Sequence, residues 1–261
     1  MDTNRAIIGA ILGDIAGSEF EMGRSLFPDK EVLFSKWCNF TDDTVMSLAV
    51  KMALDEKLDF AKAMRILGRR YPHCGYARKF YEWLQDDSME AYGSSWGNGA
   101  AMRVAGICDY FEDLEDVKKA AKDSAEVSHN HEEGIKGAVT TAVCIWMAKH
   151  GESKDAIYDY VLKEYPPEKY QYSGKSIDYL RKHYKWSASC MDCVPVAMRA
   201  FYECEGFESF MRILISLDGD NDTLGAIGGP VVYSYYGGAG FAPEPILKRF
   251  LTDDLIEILN K

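Results

Sequence analysis

The sequence predicts an all-α protein, built as one compact bundle of a dozen or so helices. Apolar residues recur three or four positions apart along most of the chain, for example over residues 45–53, 60–67 and 76–84, and this spacing is typical of helices with one buried face. No segment shows the alternating pattern of a half-buried strand. No internal repeat divides the chain into similar units.

Length and composition favour a single domain over residues 1–261. Hydrophobic residues make up 47% of the chain and aromatic residues 13%, which is enough for a large core. A chain of 261 residues is compatible with one large domain. No Pro/Ser-rich linker interrupts it.

Charge and cysteine content narrow the possible functions. The net charge is −11, from 30 basic and 41 acidic residues, so general binding to a nucleic-acid backbone has little support. The seven cysteines come without a signal-peptide pattern, which favours reduced thiols and a cytoplasmic protein. Cys190 and Cys193 form a lone CxxC, which we interpret as the start of a buried helix rather than half of a zinc site.

No apolar run approaches the roughly 20 residues that a membrane-spanning helix needs.

The first predicted helix covers residues 3–16 and carries an unusual glycine face. Gly9, Gly13 and Gly17 are spaced four residues apart, and each costs about 1 kcal/mol of helix propensity relative to alanine. We therefore expect another helix or a ligand to approach this face closely.

The remaining segments follow in order. Beyond the segments above, helices are predicted over residues 114–127, 135–149, 153–162, 194–202 and 207–217, and from Pro245 to residue 259. Residues 165–189 are predicted to be a loop with a short helix. The glycine-rich residues 93–103 are predicted to open a helix that continues through Val104 and Ile107.

An acidic cluster near the C-terminus predicts a metal site. Asp218, Asp220, Asp222 and Thr223 stand directly before a glycine-rich apolar run. Carboxylates taken out of water either raise their pKa or acquire a cation, and such oxygen ligands suit Mg²⁺, Mn²⁺ or Ca²⁺. An EF-hand is excluded, because its sixth and twelfth positions would be Thr223 and Gly229.

A second cluster in the N-terminal part repeats this chemistry. Thr41, Asp42 and Asp43 also run into an apolar helical segment. Either cluster alone could simply cap a helix, since Thr and Asp satisfy the first N–H groups and suit the positive end of the helix dipole. Together they supply enough oxygens for two adjacent metal ions, a common arrangement for hydrolysis.

Two further stretches are candidate ligand contacts. The glycine-rich residues 93–103 could hold phosphate at a helix start or be an ordinary tight loop; they match neither a Walker A loop nor the dinucleotide fingerprint. His129 and His131 could bind zinc, donate to a ligand hydroxyl or be solvated.

Four segments together resemble the ADP-ribosylglycohydrolase family, which includes the dinitrogenase reductase-activating glycohydrolase and the vertebrate ADP-ribosylarginine and ADP-ribosylserine hydrolases. They are residues 13–21 (GDIAGSEFE), 40–44 (FTDDT), 95–103 (SWGNGAAMR) and 219–225 (GDNDTLG). The resemblance extends over almost the whole chain.

The resemblance implies an all-helical fold with two Mg²⁺ or Mn²⁺ ions in a cleft that holds ADP-ribose. Its implied metal ligands are Thr41, Asp42, Asp43, Asp220, Asp222 and Thr223. Its implied catalytic acid is Glu21, with Asp42 and Asp43 in the same catalytic group. Its implied substrate contacts are Ser95, Trp96, Gly97, Asn98, Gly99 and His129.

Three positions depart from the family pattern, and none removes a ligand. Asn221 stands where Thr or Ser is usual and is expected to matter little. Asp218 replaces a usual Gly and is expected to add negative charge beside the site. Pro230 lies in the helix that follows Thr223, where a proline commonly causes a kink.

The resulting hypothesis is a metal-dependent hydrolase that releases ADP-ribose from a protein side chain or a small acceptor. The alternatives are a catalytically silent ADP-ribose-binding relative and a two-metal phosphohydrolase. Arginine is weakly favoured as acceptor, because Glu19, Asp86 and Asp87 could hold a guanidinium. Residues 165–186 and 22–39 are the candidate rim of the cleft.

Overall fold

The computed structural model describes residues 4–88 and 94–261, which contain fourteen α-helices. Within these residues, β-type pairing is limited to two isolated bridges, Ser94 with His129 and Gly97 with Ser189. The prediction of an all-α fold is confirmed. The helices are α1 Ala6–Gly17, α2 Asp42–Glu56, α3 Phe60–Arg70, α4 Arg78–Gln85, α5 Ala105–Tyr110, α6 Leu114–Glu126, α7 Glu132–Lys149, α8 Lys154–Glu164, α9 Ile177–His183, α10 Cys190–Glu203, α11 Phe207–Ile215, α12 Asn221–Tyr236, α13 Glu244–Phe250 and α14 Asp253–Asn260.

The centre of the bundle is the crossing of α1 and α12, where the two backbones touch. Every residue of α1 is buried. A Cβ placed on Gly13 would lie 2.1 Å from the carbonyl oxygen of Gly225, and one on Gly17 would lie 2.1 Å from that of Asn221. Only glycine permits such an approach, so the expectation of a close helix contact is confirmed.

Other helices surround this pair. Helices α7, α10 and α11 pack on α12, while α2 and α5 pack on α1. The start of α1 is fixed from a distance, because Asp109 accepts hydrogen bonds from the backbone N–H groups of Ala6 and Ile7 at 2.8 and 2.9 Å. These bonds satisfy two of the N–H groups that a helix start leaves without partners.

Several local predictions are confirmed. The Ser153 hydroxyl caps α8 by accepting from the N–H of Ala156. Cys190 begins α10, and Cys190 and Cys193 are both buried. Helix α12 continues through Pro230 to Tyr236, and a kink at Pro230 stays a prediction. In the part of the chain that the structure describes, no helix combines the length and apolar character needed to cross a membrane.

The predicted C-terminal helix over residues 245–259 is wrong as a single element. Helix α13 ends at Phe250, and α14 begins at Asp253. Leu251 and Thr252 between them are extended. Thr252 followed by two aspartates is a favourable helix start, and the Thr252 hydroxyl donates to Asp254 at 2.6 Å.

The aromatic residues between 165 and 186 contribute mainly to the core rather than to a rim. Tyr165 and Tyr184 are among the largest fully buried side chains, and Tyr172 is also buried. Tyr172 and Tyr184 pack edge to face with ring centroids 4.9 Å apart. Tyr179 and Trp186 are exceptions, since their exposed fractions are 37% and 46%.

We expect Gly13→Ala to destabilise the protein, although alanine is the better helix former by about 1 kcal/mol. Overpacking against the Gly225 backbone opposes that gain and costs about 1–3 kcal/mol, with larger values where backbone must move. Urea denaturation checks the sign. Gly23→Ala is the control, because a Cβ there meets nothing within 4 Å; equal or higher stability of Gly13→Ala would contradict the close contact.

Candidate active site

The crossing of α1 and α12 brings the acidic residues together from three parts of the chain. Asp14 lies in α1, and Glu21 follows the single 3₁₀ turn Ser18–Phe20 beyond its end. Asp42 and Asp43 form the first turn of α2, and Asp222 lies in the first turn of α12. The two clusters recognised in the sequence therefore share one site.

The carboxylates form two groups with one shared member. Oxygens of Asp14, Asp43 and Asp222 lie within 4.8 Å of one another, as do oxygens of Glu21, Asp220 and Asp222. Asp222 belongs to both groups. Each group could hold a metal ion, and Asp222 could contribute to either.

Asp14 is a site residue to which sequence reasoning assigned no role. Its carboxylate lies 2.9 and 3.1 Å from the backbone nitrogens of Thr41 and Thr44 and accepts from both. It also accepts from the hydroxyls of Thr41 and Thr44. Asp14 thereby holds the first turn of α2 against α1. Its sequence signals were its place beside Gly13 and within residues 13–21, one of the four segments that resemble the family.

The two threonines predicted as ligands lie at helix starts beside Asp43. Thr41 caps α2, and its hydroxyl oxygen is 2.8 Å from Asp14 and 3.2 Å from Asp43. The Thr223 hydroxyl is 3.3 Å from the same Asp43 carboxylate. Both hydroxyl oxygens are thus close to the first carboxylate group.

Asn221 holds the Glu21 segment in place. Its side-chain amide donates to the carbonyl oxygens of Phe20 at 2.9 Å and Gly23 at 3.2 Å, on either side of Glu21. The expectation that Asn221 matters little is therefore wrong. The place of Asn221 between two candidate ligands in the sequence did not indicate these partners. Phe20 lies 201 residues and Gly23 198 residues before Asn221.

The pKa values of the clustered aspartates are raised, which indicates that their ionised forms are unfavourable without bound cations. Loss of solvent, followed by the charges of Asp14 and Asp220, raises the pKa of Asp42 to about 8. Burial raises the pKa of Asp14 and of Asp220 to about 6. Burial, and then the neighbouring carboxylates, raise the pKa values of Asp43 and Asp222 well above the usual range.

The donor set fits hard divalent cations. One carboxylate oxygen of Asp43, Oδ1, is buried without a hydrogen-bond partner in the described chain, although buried polar groups are normally paired. The surrounding donors are carboxylate and hydroxyl oxygens, which suit Mg²⁺ and Mn²⁺. Cations at this position would stabilise the ionised carboxylates.

The acidic cluster opens into a cavity of about 660 Å³. Predicted site residues that line it are Glu21, Asp42, Asp43, Asp220, Asp222, Thr223, Ser95, Trp96, Gly97, Asn98, Gly99 and His129. Met22, Lys79 and Trp186 are also at its wall. Trp96 and Trp186 are each about half-exposed, at 49% and 46%, so they can offer ring faces to a ligand.

The glycine-rich loop reaches the acidic cluster directly. The Asn98 side-chain amide donates to Asp220 at 2.7 Å. The Asn98 backbone N–H donates to Ala188, so it is already occupied. The loop continues into the single 3₁₀ turn Asn98–Ala100, and α5, which contains Ile107, begins only at Ala105 with Val104 as its N-cap. The helix thus begins after the loop rather than within it, and phosphate binding by the loop stays a prediction.

Glycines of this loop make room for His129. A Cβ on Gly99 would lie 3.1 Å from the His129 ring nitrogen Nε2, and one on Gly97 would lie 3.4 Å from it. The His129 side chain is buried and faces the loop. His131, in contrast, caps α7 by accepting from the N–H of Glu133. The two histidines therefore serve different elements.

Other acidic residues lie away from the cluster. Asp218 pairs with Lys185 at 2.7 Å, so the expectation that it adds charge beside the site is not supported. Glu19 accepts from the Ser35 hydroxyl, and Asp87 pairs with Arg69. The Asp86 carboxylate accepts from Ser88.

Comparison with known proteins places the chain in a family. The family model described as ADP-ribosylglycohydrolase matches residues 4–261. The ADP-ribosylhydrolase ARH3 of Homo sapiens is 28% identical over 306 residues, covering 88% of this chain and 84% of the relative. That of Gallus gallus is 26% identical over 311 residues, with the same two coverages.

The fold has a counterpart among solved structures. An ADP-ribosylglycohydrolase-related protein complex matches with a TM-score of 0.72 at 20% identity, covering 98% of this chain and 96% of the other. This likeness supports the fold. With the family model spanning residues 4–261, the chain belongs to the ADP-ribosylglycohydrolase family.

We expect the metal-free protein to lose thermal stability as pH rises from about 5 to 8. In this window the folded carboxylates retain protons, with pKa values of about 6 for Asp14 and Asp220 and about 8 for Asp42. The unfolded chain, with aspartate pKa values near the usual 3.8, has already lost them. Stability is therefore present at the low end and lost as pH rises through the folded pKa values.

The measurement is the melting temperature against pH after EDTA treatment, with Mg²⁺-saturated protein as the control. Bound cations stabilise the ionised carboxylates, so the control should lose less stability across the same window. Parallel curves for the two samples would contradict the electrostatic account.

Proposed function

We propose that the protein is a hydrolase that cleaves the glycosidic bond between ADP-ribose and an acceptor. The observation that carries this proposal is the acidic cluster of Glu21, Asp42, Asp43, Asp220 and Asp222 at the wall of one ligand-sized cavity. The same cavity is lined by the glycine-rich loop that resembles the diphosphate-binding loop of the family. Membership of the family supports the reaction class.

Two divalent ions, Mg²⁺ or Mn²⁺, are the proposed cofactors. Asp14, Asp43 and Asp222 would surround one ion, and Glu21, Asp220 and Asp222 the other, with Asp42, Thr41 and Thr223 as further oxygen donors. When bound, the ions would supply positive charge that orients the ribose hydroxyls and either a water molecule or the leaving group.

Glu21 is proposed as the group that moves a proton during cleavage. It lines the cavity, and Asn221 fixes the backbone on both sides of it. Cleavage of a glycosidic bond passes through an oxocarbenium-like state and benefits from a carboxyl group that protonates the leaving atom or activates water. Positioned acid or base catalysis is worth about 10²–10⁴ in rate.

The acceptor is selected at the rim, because the loop and the cluster contact the ADP-ribose part that all substrates share. Arginine was favoured as acceptor because Glu19, Asp86 and Asp87 could hold a guanidinium. Each of these carboxylates instead accepts a hydrogen bond from another residue of the protein. Among the described residues lining the cavity, every carboxylate belongs to the acidic cluster. The proposal therefore includes side-chain and small acceptors without a preference for arginine.

We expect Asp220→Ala to lower the bound metal, because it removes one carboxylate from the group that contains Glu21 and Asp222. Elemental analysis of purified protein measures the metal per chain. Asp218→Ala is the matched control: it removes an aspartate two positions away whose carboxylate faces Lys185. Equal metal content in the two variants would remove Asp220 from the proposed ligands.

The activity test offers ADP-ribosyl-arginine, ADP-ribosyl-serine and O-acetyl-ADP-ribose separately, with Mg²⁺ or Mn²⁺, and measures free ADP-ribose. We expect release from at least one substrate and a loss of about 10²–10⁴ in kcat for Glu21→Gln, with ADP-ribose binding retained. Glu19→Gln is the control and should keep full activity.

Each contrary result favours a specific alternative. ADP-ribose binding without release from any substrate would favour a silent relative. Formation of phosphate or AMP would favour a phosphohydrolase. Full turnover by Glu21→Gln at saturating metal would exclude a proton-transfer role for Glu21.

A further inference from the structure

Arg103 is a fully buried cation beside the cavity. Its exposed fraction is 0%, and it forms no ion pair with a carboxylate in the part of the chain that is described. Its Nη2 donates to the Ser124 carbonyl oxygen at 2.6 Å and to the Ser128 hydroxyl oxygen at 2.8 Å. Burial lowers its pKa to about 9, which still leaves it charged at neutral pH. Burying a charge costs free energy, so we asked what the contacts of the buried Arg103 side chain contribute.

The Ser128 hydroxyl connects Arg103 to His129. Its oxygen lies 2.8 Å from the His129 ring nitrogen Nδ1, and Ser128 is itself fully buried. A serine hydroxyl has one proton to donate. Since Arg103 can only donate to this oxygen, the described contacts offer the Ser128 proton one acceptor, His129 Nδ1.

The single proton of the Ser128 hydroxyl distinguishes the two neutral tautomers of His129, which carry the ring proton on Nδ1 or on Nε2. If Nδ1 carried the ring proton, it would donate to Ser128, and the buried Ser128 proton would have no acceptor among these contacts. If Nδ1 accepts, the ring proton lies on Nε2, and the Ser128 proton and Nδ1 are paired with each other. Leaving a buried polar group unpaired is unfavourable.

The ring is also kept neutral by its surroundings. Burial, and then the charge of Arg103, hold the pKa of His129 well below its usual range. Phe80 packs beside the ring with a centroid distance of 6.3 Å. Nε2 lies on the side of the ring next to Gly97 and Gly99, in the loop that lines the cavity.

We propose that Arg103 and Ser128 are positioning residues that fix His129 as a neutral imidazole with its proton on Nε2. His129 is then a hydrogen-bond donor to a ligand oxygen in the cavity. This inference rests on the proposed function, which supplies an oxygen-rich ligand in the ribose and diphosphate of ADP-ribose. A purely structural role would instead limit Arg103 to capping the Ser124 carbonyl.

The test measures the imidazole tautomer by ¹⁵N–¹H NMR of labelled full-length protein, with His129→Gln used to assign the His129 signals. We expect the proton on Nε2 in the wild type. In Ser128→Ala, Nδ1 loses its donor, so we expect a shift toward the other tautomer and about tenfold weaker ADP-ribose binding. Ser128→Thr keeps the hydroxyl and should restore both.

Ser124→Ala is the matched control. It removes an equally buried hydroxyl from the same region, one that donates to Ala121, while Arg103 contacts Ser124 only through the backbone carbonyl. The control should leave the tautomer unchanged. A proton on Nδ1 in the wild type, or the same spectrum for Ser128→Ala as for Ser124→Ala, would overturn the proposal.

The tautomer is measured without ligand, so this test is separate from the proposed function. If Ser128→Ala does not fold, a proton on Nδ1 in the wild-type spectrum would still overturn the proposal. An Nε2 proton combined with no detectable ADP-ribose binding would contradict the proposed function and leave the positioning of His129 intact.

Discussion

The contact between the backbones of α1 and α12 is the constraint on which the site depends. Helix pairs normally pack with axes about 8–10 Å apart, separated by side chains. At Gly13 and Gly225 there is no side chain between them, and a Cβ on either would lie 2.1 or 2.3 Å from the opposing carbonyl oxygen. Asp14 and Asp222 belong to these two helices, so the helix separation also sets the spacing of their carboxylates.

This arrangement concentrates negative charge where solvent is scarce. Asp14 is stabilised as an ion by four donors from Thr41 and Thr44, but Asp43 and Asp222 lack a comparable set. Their repulsion opposes folding unless protons or cations are bound. Cation binding and stability are therefore linked, because a ligand of the folded state shifts the folding equilibrium.

Sequence reasoning predicted those features that depend on local patterns. Glycines spaced by four residues indicated the close helix contact, and Thr and Asp at helix starts indicated both acidic clusters. It missed features whose partners are distant. Asp14 receives its donors from residues 27 and 30 positions later, and the Asn221 partners lie 201 and 198 positions earlier. Burial of Tyr165 and Tyr184 likewise depends on packing that a polar, aromatic segment does not reveal.

The bonds from Asn221 have a mechanical consequence. They tie the backbone on both sides of Glu21 to the first turn of α12, the turn that also carries Asp222. The two hydrogen bonds therefore constrain the distance between Glu21 and Asp222 on this side of the cleft. Met22, next to Glu21 and 80% exposed, is the adaptable part of that wall, and its unbranched side chain can adjust to acceptors of different shape.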